Sequence, residues 1–186
     1  MDEDGESVVN KDVERILLTE ETLSKRVREM GQQISRDFCG RSVLAICILK
    51  GSVVFFSDLI RQIEGDVQIA FISAASYGAG AESSGDVKVT EIMEIPIDGR
   101  DVIIVEDIVD SGHTLARIRD AFDKKGASSV TICTLLDKPE RREIPVAVDY
   151  SGFTIPNEFV VGYGLDYNQC YRNLPYVGIL KREVYE

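Results

Sequence analysis

The segment Asp101–Val109 (DVIIVEDIV) is a β-branched and almost unbroken apolar run. It ends in Asp110-Ser111-Gly112-His113-Thr114 and passes at once into Leu115, Ile118 and Phe122, apolar residues at helical spacing. A run apolar on both faces is what a strand covered by helices on both sides requires. A turn of small polar residues feeding straight into a helix makes the unit strand, turn, helix, the opening of a βαβ arrangement. Open sheets built this way take their ligands at the carboxyl edge of the strands.

The same rhythm recurs along the chain. Leu23, Val27, Met30, Ile34 and Phe38 share one face of a helix over roughly 20–38. Val43–Leu49 (VLAICIL) is a second buried strand, broken by Lys50-Gly51-Ser52 before a helix carrying Phe55, Phe56, Leu59, Ile60 and Ile63. A strand is expected over 67–75, a long loop rich in glycine and serine over 76–86, a hairpin arm over 87–95 and another buried strand over 129–136. Beyond Lys138-Pro139 the alternation stops, and short strands follow within 146–181. The expected architecture is α/β: a doubly wound, mainly parallel sheet with a small C-terminal β hood formed largely by about 146–181. Residues 1–12 are acidic and read as a disordered tail, leaving 13–186 as a single domain.

The chemistry concentrates at the end of the Asp101–Val109 run. A small-residue turn opening a helix offers unpaired N–H groups at the positive end of the helix dipole, which is a phosphate site. Ser111 and Thr114 add hydroxyl donors, and Gly112 lets the backbone approach closely. The adjacent acids Glu106 and Asp107 would repel a phosphate, but they suit the vicinal hydroxyls of a sugar or a divalent cation. Together these features describe a ribose 5-phosphate site. For any one of these residues a capping turn or a solvated strand end is the simpler explanation, but the block as a whole points to binding. There is no G-x-x-x-x-G-K-[ST] loop and no G-x-S-x-G elbow.

Composition narrows the partners. The chain carries 21 basic and 32 acidic side chains, a net charge of −11, which argues against nucleic acid or an anionic membrane as the main partner. No apolar run reaches membrane-spanning length and the N-terminus (MDEDGESVVN) is acidic, so a cytoplasmic protein is expected. The cysteines at 39, 47, 133 and 170 form no C-x-x-C pair, so structural zinc and a disulfide framework are poor readings. Cys47 and Cys133 lie in apolar runs, as small hydrophobes do.

The stretch 102–115 resembles the signature loop of the type I phosphoribosyltransferases, which bind 5-phosphoribosyl-1-pyrophosphate (PRPP). Leu49-Lys50-Gly51-Ser52, Ser76-Tyr77, Leu135-Leu136-Asp137-Lys138 and the run 159–168 (FVVGYGLDYN) with Arg172 are similar to the purine branch of that family, from roughly residue 13 to 181. The resemblance implies transfer of a phosphoribosyl group to N9 of hypoxanthine or guanine, giving IMP or GMP and pyrophosphate with Mg²⁺. It implies Asp110 as general base toward N7 of the purine, although the residue type also suits a helix cap. Ser111, Gly112, His113 and Thr114 would cradle the 5′-phosphate, with Glu106 and Asp107 on the ribose hydroxyls. Glu106, Asp107 and Asp166 would associate with the metal. Lys50, Gly51 and Arg172 would meet pyrophosphate, with a strained peptide bond just before Lys50.

By the same resemblance Lys138 hydrogen-bonds the 6-oxo group, Phe159 stacks on the base, and Val160 and Asp166 meet its edge. Ser76 and Tyr77 would head a flexible loop that closes over the site and excludes water. His113 stands where relatives carry lysine, asparagine or another polar residue. Relatives are homodimers or homotetramers, and the same assembly is expected here. Two other readings remain open from sequence: a PRPP-sensing regulatory protein, and a relative that prefers xanthine.

Overall fold

A computed structural model of the chain describes residues 9–76, 87–91 and 95–186. Strand β1 (Val13–Leu18) leads into helix α1 (Glu20–Asp37). Thr19 caps that helix, its hydroxyl accepting from Thr22 N at 3.2 Å, and Glu20 and Glu21 stand in the first turn, where the dipole favours acids. Then come β2 (Val43–Leu49), α2 (Val53–Ile60), β3 (Val67–Ser76), β4 (Val87–Glu91), β5 (Asp101–Val109), α3 (His113–Lys124) and β6 (Ser129–Asp137). The chain closes with β7 (Tyr150–Thr154), β8 (Val160–Val161), β9 (Val177–Leu180) and a final turn of helix, α4 (Arg182–Tyr185).

The main sheet has six strands in the order β4-β3-β2-β5-β6-β7, parallel except for the β4 edge, which returns antiparallel to β3 as the expected hairpin arm. Its two faces explain the unbroken apolar runs. In β2, Ala45 and Cys47 pack with Leu23, Val27, Met30 and Ile34 of α1 and with Phe55, Phe56 and Leu59 of α2. The alternate residues Leu44, Ile46 and Ile48 pack with Leu115, Ile118 and Phe122 of α3 on the other face. A strand with helices on both sides has no position left for a polar side chain. Burial raises the Cys47 thiol to about 11, and all four cysteines are free thiols.

The hood differs from expectation at both ends. Of the strands expected within 146–181, β7 belongs to the main sheet, parallel to β6 with Cys133 opposite Tyr150 and Leu136 opposite Phe153. Helix α1 covers it: Arg26 donates to the Ser151 and Gly152 carbonyls at 2.7 and 3.0 Å, and Tyr150 donates to Asp37 Oδ2 at 2.8 Å. The alternation stops after β6 because the crossover to β7 carries only a 3₁₀ turn, Pro139–Arg141, rather than an α-helix. The hood itself is β1-β9-β8, completed by the N-terminal strand through Val13↔Leu180 and Leu18↔Val177. Of the expected tail 1–12, residues 1–8 lie outside the described residues. Asn10 and Asp12 are tied to the hood: Asn10 N donates to the Tyr176 hydroxyl at 2.8 Å and Lys181 N to the Asp12 carbonyl at 3.0 Å. Among the described residues no helix is long and apolar enough to cross a membrane.

Candidate active site

Strands β2 and β5 are parallel neighbours, but the chain leaves β2 toward β3 on one side and leaves β5 toward β6 on the other. Their carboxyl ends therefore diverge and leave a crevice at the point where strand order reverses. A cavity of about 240 Å³ opens there, lined by Lys50 and Gly51 after β2, by Glu106, Asp107 and Thr114 from the β5–α3 unit, and by Asp166 and Arg172. The Leu49–Lys50 peptide bond is cis. A Cβ at Gly51 would overlap Asp107 Oδ2, so only glycine lets the post-β2 loop lie against the acid on β5.

Glu106 and Asp107 do not stand beyond the strand but within it, which crowds them with protein. Burial, then the neighbouring Asp107 charge, hold the Glu106 carboxyl well above the usual range; burial also raises Asp107. Asp107 Oδ1 accepts from Ile108 N at 2.8 Å, whereas Glu106 Oε2 is sealed from solvent without a partner. An orphaned buried oxygen beside a second carboxylate is a hard donor set of the kind Mg²⁺ takes. Asp166 lines the same cavity, yet its Oδ1 is 2.6 Å from Arg172 Nη2 and its Oδ2 accepts from Gln169 N at 2.8 Å. Among the described residues no three acids converge as a metal cage. Glu106 and Asp107 are the carboxylates that would hold a Mg²⁺ ion here, in keeping with the one or two it usually takes from protein.

Glu106→Gln should stabilise the metal-free protein at neutral and alkaline pH. The folded-state value lies above the unfolded one, so stability linked to this carboxyl is full below the ordinary carboxylate range and is lost as pH rises through the raised value. The amide variant cannot ionise and so escapes that loss. Melting curves in chelator should show a Tm gain that grows with pH; a variant less stable than wild type at neutral pH would contradict this.

The loop 110–114 follows. Gly112 is the N-cap of α3 at φ 90°, where an added Cβ would also press on the Ile144 carbonyl at 2.6 Å. Glu143 N and Ile144 N both donate to the Ser111 carbonyl at 3.0 Å, and Arg142 Nε donates to the Asp110 carbonyl at 3.0 Å. Arg142 also pairs with Asp137. The irregular β6–β7 crossover thus straps the loop from outside while a small cavity of about 90 Å³, lined by Asp110, Ser111, Gly112 and Thr114, stays open within it. His113 faces the strap, with Nε2 2.9 Å from Glu143 Oε2.

Asp110 also borders a slot of about 260 Å³, lined further by Asp107, Ile108, Lys138, Phe159, Val160, Leu165 and Asp166. Lys138 is 7% exposed and Phe159 37%, an inversion of their usual habits. The Lys138 ammonium donates to the Glu158 carbonyl at 2.6 Å, and burial lowers its pKa. A cavity that sets a cationic donor, Lys138, beside the apolar side chains of Ile108, Phe159, Val160 and Leu165 takes a planar heterocycle that has an acceptor at its edge. Asp110 is common to both cavities, with Oδ1 2.8 Å from Arg141 Nε. The residues brought together are thus Lys50, Gly51, Glu106, Asp107, Thr114, Asp166 and Arg172 in the crevice, 110–114 around the loop, and Lys138, Phe159 and Val160 in the slot. Ser76 ends β3, and Tyr77 lies outside the described residues. Sequence reasoning missed Ile108 and Leu165, the apolar walls of the slot, and Arg141 and Arg142, whose strap role leaves no local pattern. A further cavity of about 340 Å³ lies between α1, α2 and the hood, and among its lining residues Arg172 is the one that also faces the crevice.

Residues 15–168 match the phosphoribosyl transferase domain family. The chain belongs to that family. The hypoxanthine-guanine phosphoribosyltransferase of Streptococcus thermophilus is 47% identical over 178 residues, covering 96% of this chain and 99% of its own length. A hypoxanthine phosphoribosyltransferase structure from Staphylococcus aureus matches with a TM-score of 0.92 at 44% identity, over 98% of this chain and 99% of that one. A hypoxanthine-guanine phosphoribosyltransferase from Bacillus anthracis gives a TM-score of 0.86 at 47% identity, over 91% and 99%. The parallel sheet with its small antiparallel hood is the type I phosphoribosyltransferase fold.

Proposed function

We propose that this chain is a purine salvage enzyme that transfers the phosphoribosyl group of PRPP to N9 of hypoxanthine or guanine, giving IMP or GMP and pyrophosphate. The observation that carries the reading is Asp110, whose side chain borders both the phosphate loop and the slot that ends in Lys138. A ribose held from the loop and a base held in the slot meet beside that carboxylate.

In this reading the amides and hydroxyls of 111–114 hold the 5′-phosphate, and Glu106 and Asp107 accept from the ribose hydroxyls. Lys50, the Gly51 backbone and Arg172 receive the pyrophosphate. Mg²⁺ bound at Glu106 and Asp107, with Asp166 nearby, would neutralise charge on the pyrophosphate as it leaves. The bond from ribose C1 to pyrophosphate oxygen breaks with its electron pair on oxygen, N9 donates its lone pair to C1, and the N7 proton passes to Asp110. The Asp110 carboxylate also stabilises the positive charge that develops on the ribosyl group. Lys138 donates to the 6-oxo group, Phe159 stacks on the ring, and the Val160 backbone meets its edge.

Location in the cytoplasm and assembly as a homodimer or homotetramer belong to the same reading. A sensor of PRPP alone has no use for the slot and its buried lysine, so the regulatory alternative is disfavoured. Incubation with PRPP, Mg²⁺ and hypoxanthine, followed by chromatography, should show IMP and pyrophosphate in equal amounts. Ribose 5-phosphate in place of IMP would contradict transfer.

A further inference from the structure

From the ring geometry around Phe159 we infer that Tyr185, in the last turn of helix, is a positioning residue for the purine slot. The inference rests on the purine-transfer reading. The Phe159 backbone is fixed, since its carbonyl accepts from Leu180 N of β9 at 2.9 Å, but the residue is 37% exposed and lines the slot. The Tyr185 ring stacks on it, with centroids 4.9 Å apart and planes 23° from parallel. Tyr167 meets Phe159 edge-on at 5.6 Å and 88°, and lies 6.5 Å from Tyr185. One ring held by a face contact and an edge contact has little rotamer freedom left.

Tyr185 stacks on Phe159 but does not line the slot. It lines a second cavity of about 180 Å³ with Lys138, Arg141, Asn157, Glu158 and Phe159, which shares only Lys138 and Phe159 with the slot. A base held on the ring face away from Tyr185 would extend the stack as base, Phe159, Tyr185. No residue of the phosphate loop or of Lys50-Gly51 lines the Tyr185 cavity. The C-terminal turn that carries Tyr185 is seated on the hood, with Lys181 N bonded to the Asp12 carbonyl and Val184 packed on the cluster of Val13, Val161, Tyr176 and Leu180. Holding Phe159 in its stacking rotamer before the base arrives removes an ordering cost from purine binding alone. PRPP binding is untouched.

The test is steady-state kinetics of the full chain carrying Tyr185→Leu and, separately, Tyr185→Phe, beside wild type. Leucine keeps apolar bulk but removes the ring face, so the KM for hypoxanthine should rise roughly two- to tenfold. The KM for PRPP and the oligomeric state by light scattering should stay unchanged, and Tyr185→Phe should match wild type. The inference is overturned if the hypoxanthine KM is unmoved in Tyr185→Leu, if the PRPP KM or the assembly shifts with it, or if phenylalanine is as impaired as leucine. A fall in hypoxanthine KM would also overturn it, and would make Tyr185 an obstruction instead. An active wild type beside an unaffected Tyr185→Leu overturns this inference alone, while a wild type that turns over no purine overturns the functional reading as well.

Discussion

Asp110→Asn should lower kcat for hypoxanthine on the order of 10²- to 10⁴-fold, the range over which a positioned general base acts. The substitution is close to isosteric, and the loop does not depend on the side chain for its shape. Its carbonyl accepts from Arg142 Nε and the neighbouring Ser111 carbonyl from two strap amides, all of them unaffected by the change. The Arg141 pair that the substitution weakens is half exposed, at 52% and 41%, and such pairs contribute little to stability. The KM for PRPP and the Tm should therefore remain near wild type while kcat collapses. If kcat stayed within a few-fold of wild type, Asp110 would be only part of the turn. If kcat, the PRPP KM and the Tm all fell together, its role would be structural.

Lys138→Gln should raise the hypoxanthine KM on the order of tenfold or more, since hydrogen bonds from a charged donor are worth about 1.5–3 kcal/mol. One N–H of the ammonium goes to the Glu158 carbonyl, which leaves donors free for the slot. The same residue sets a pH dependence. Burial, only partly offset by the Asp110 charge, lowers its pKa, so Lys138 sheds its proton at a lower pH than a solvated lysine. Affinity for a 6-oxopurine should accordingly decline as pH rises through that lowered value, before the ordinary lysine range is reached. The glutamine variant has no such proton, and its KM profile should be flat across the same interval. A wild-type KM that is flat throughout, or a variant that declines in parallel, would show that another group titrates.

Much of this arrangement was legible because it is written in local pattern. Val102–Val105 and Ala45–Cys47 are apolar at every position since helices cover both faces of the central strands, and the α1 stripe repeats at helical spacing for the same reason. The turn Asp110–Thr114 announces itself because glycine and small hydroxyl residues are needed where a strand hands over to a helix at an anion site. Parts that depend on distant partners were not legible. Strand β1 is half exposed, and its identity depends on β9, at the other end of the chain. Strand β7 is an edge strand whose cover comes from Arg26 and Asp37 of α1, so it carries none of the continuous apolarity that marks its neighbours. Arg141, Arg142 and Tyr185 look in sequence like ordinary surface residues of a charged crossover and a C-terminal turn. Their partners at the site, Asp110 for the two arginines and Phe159 for Tyr185, are reached only through the fold.

The most direct test of the account is kcat/KM of the wild-type chain for hypoxanthine, guanine, xanthine and adenine with saturating PRPP and Mg²⁺. A slot that offers a buried cationic donor to the base edge should favour hypoxanthine or guanine over adenine on the order of 10²-fold or more, because the 6-amino group leaves that donor unpaired. Adenine used as well as hypoxanthine, or turnover of none of the bases, would contradict it.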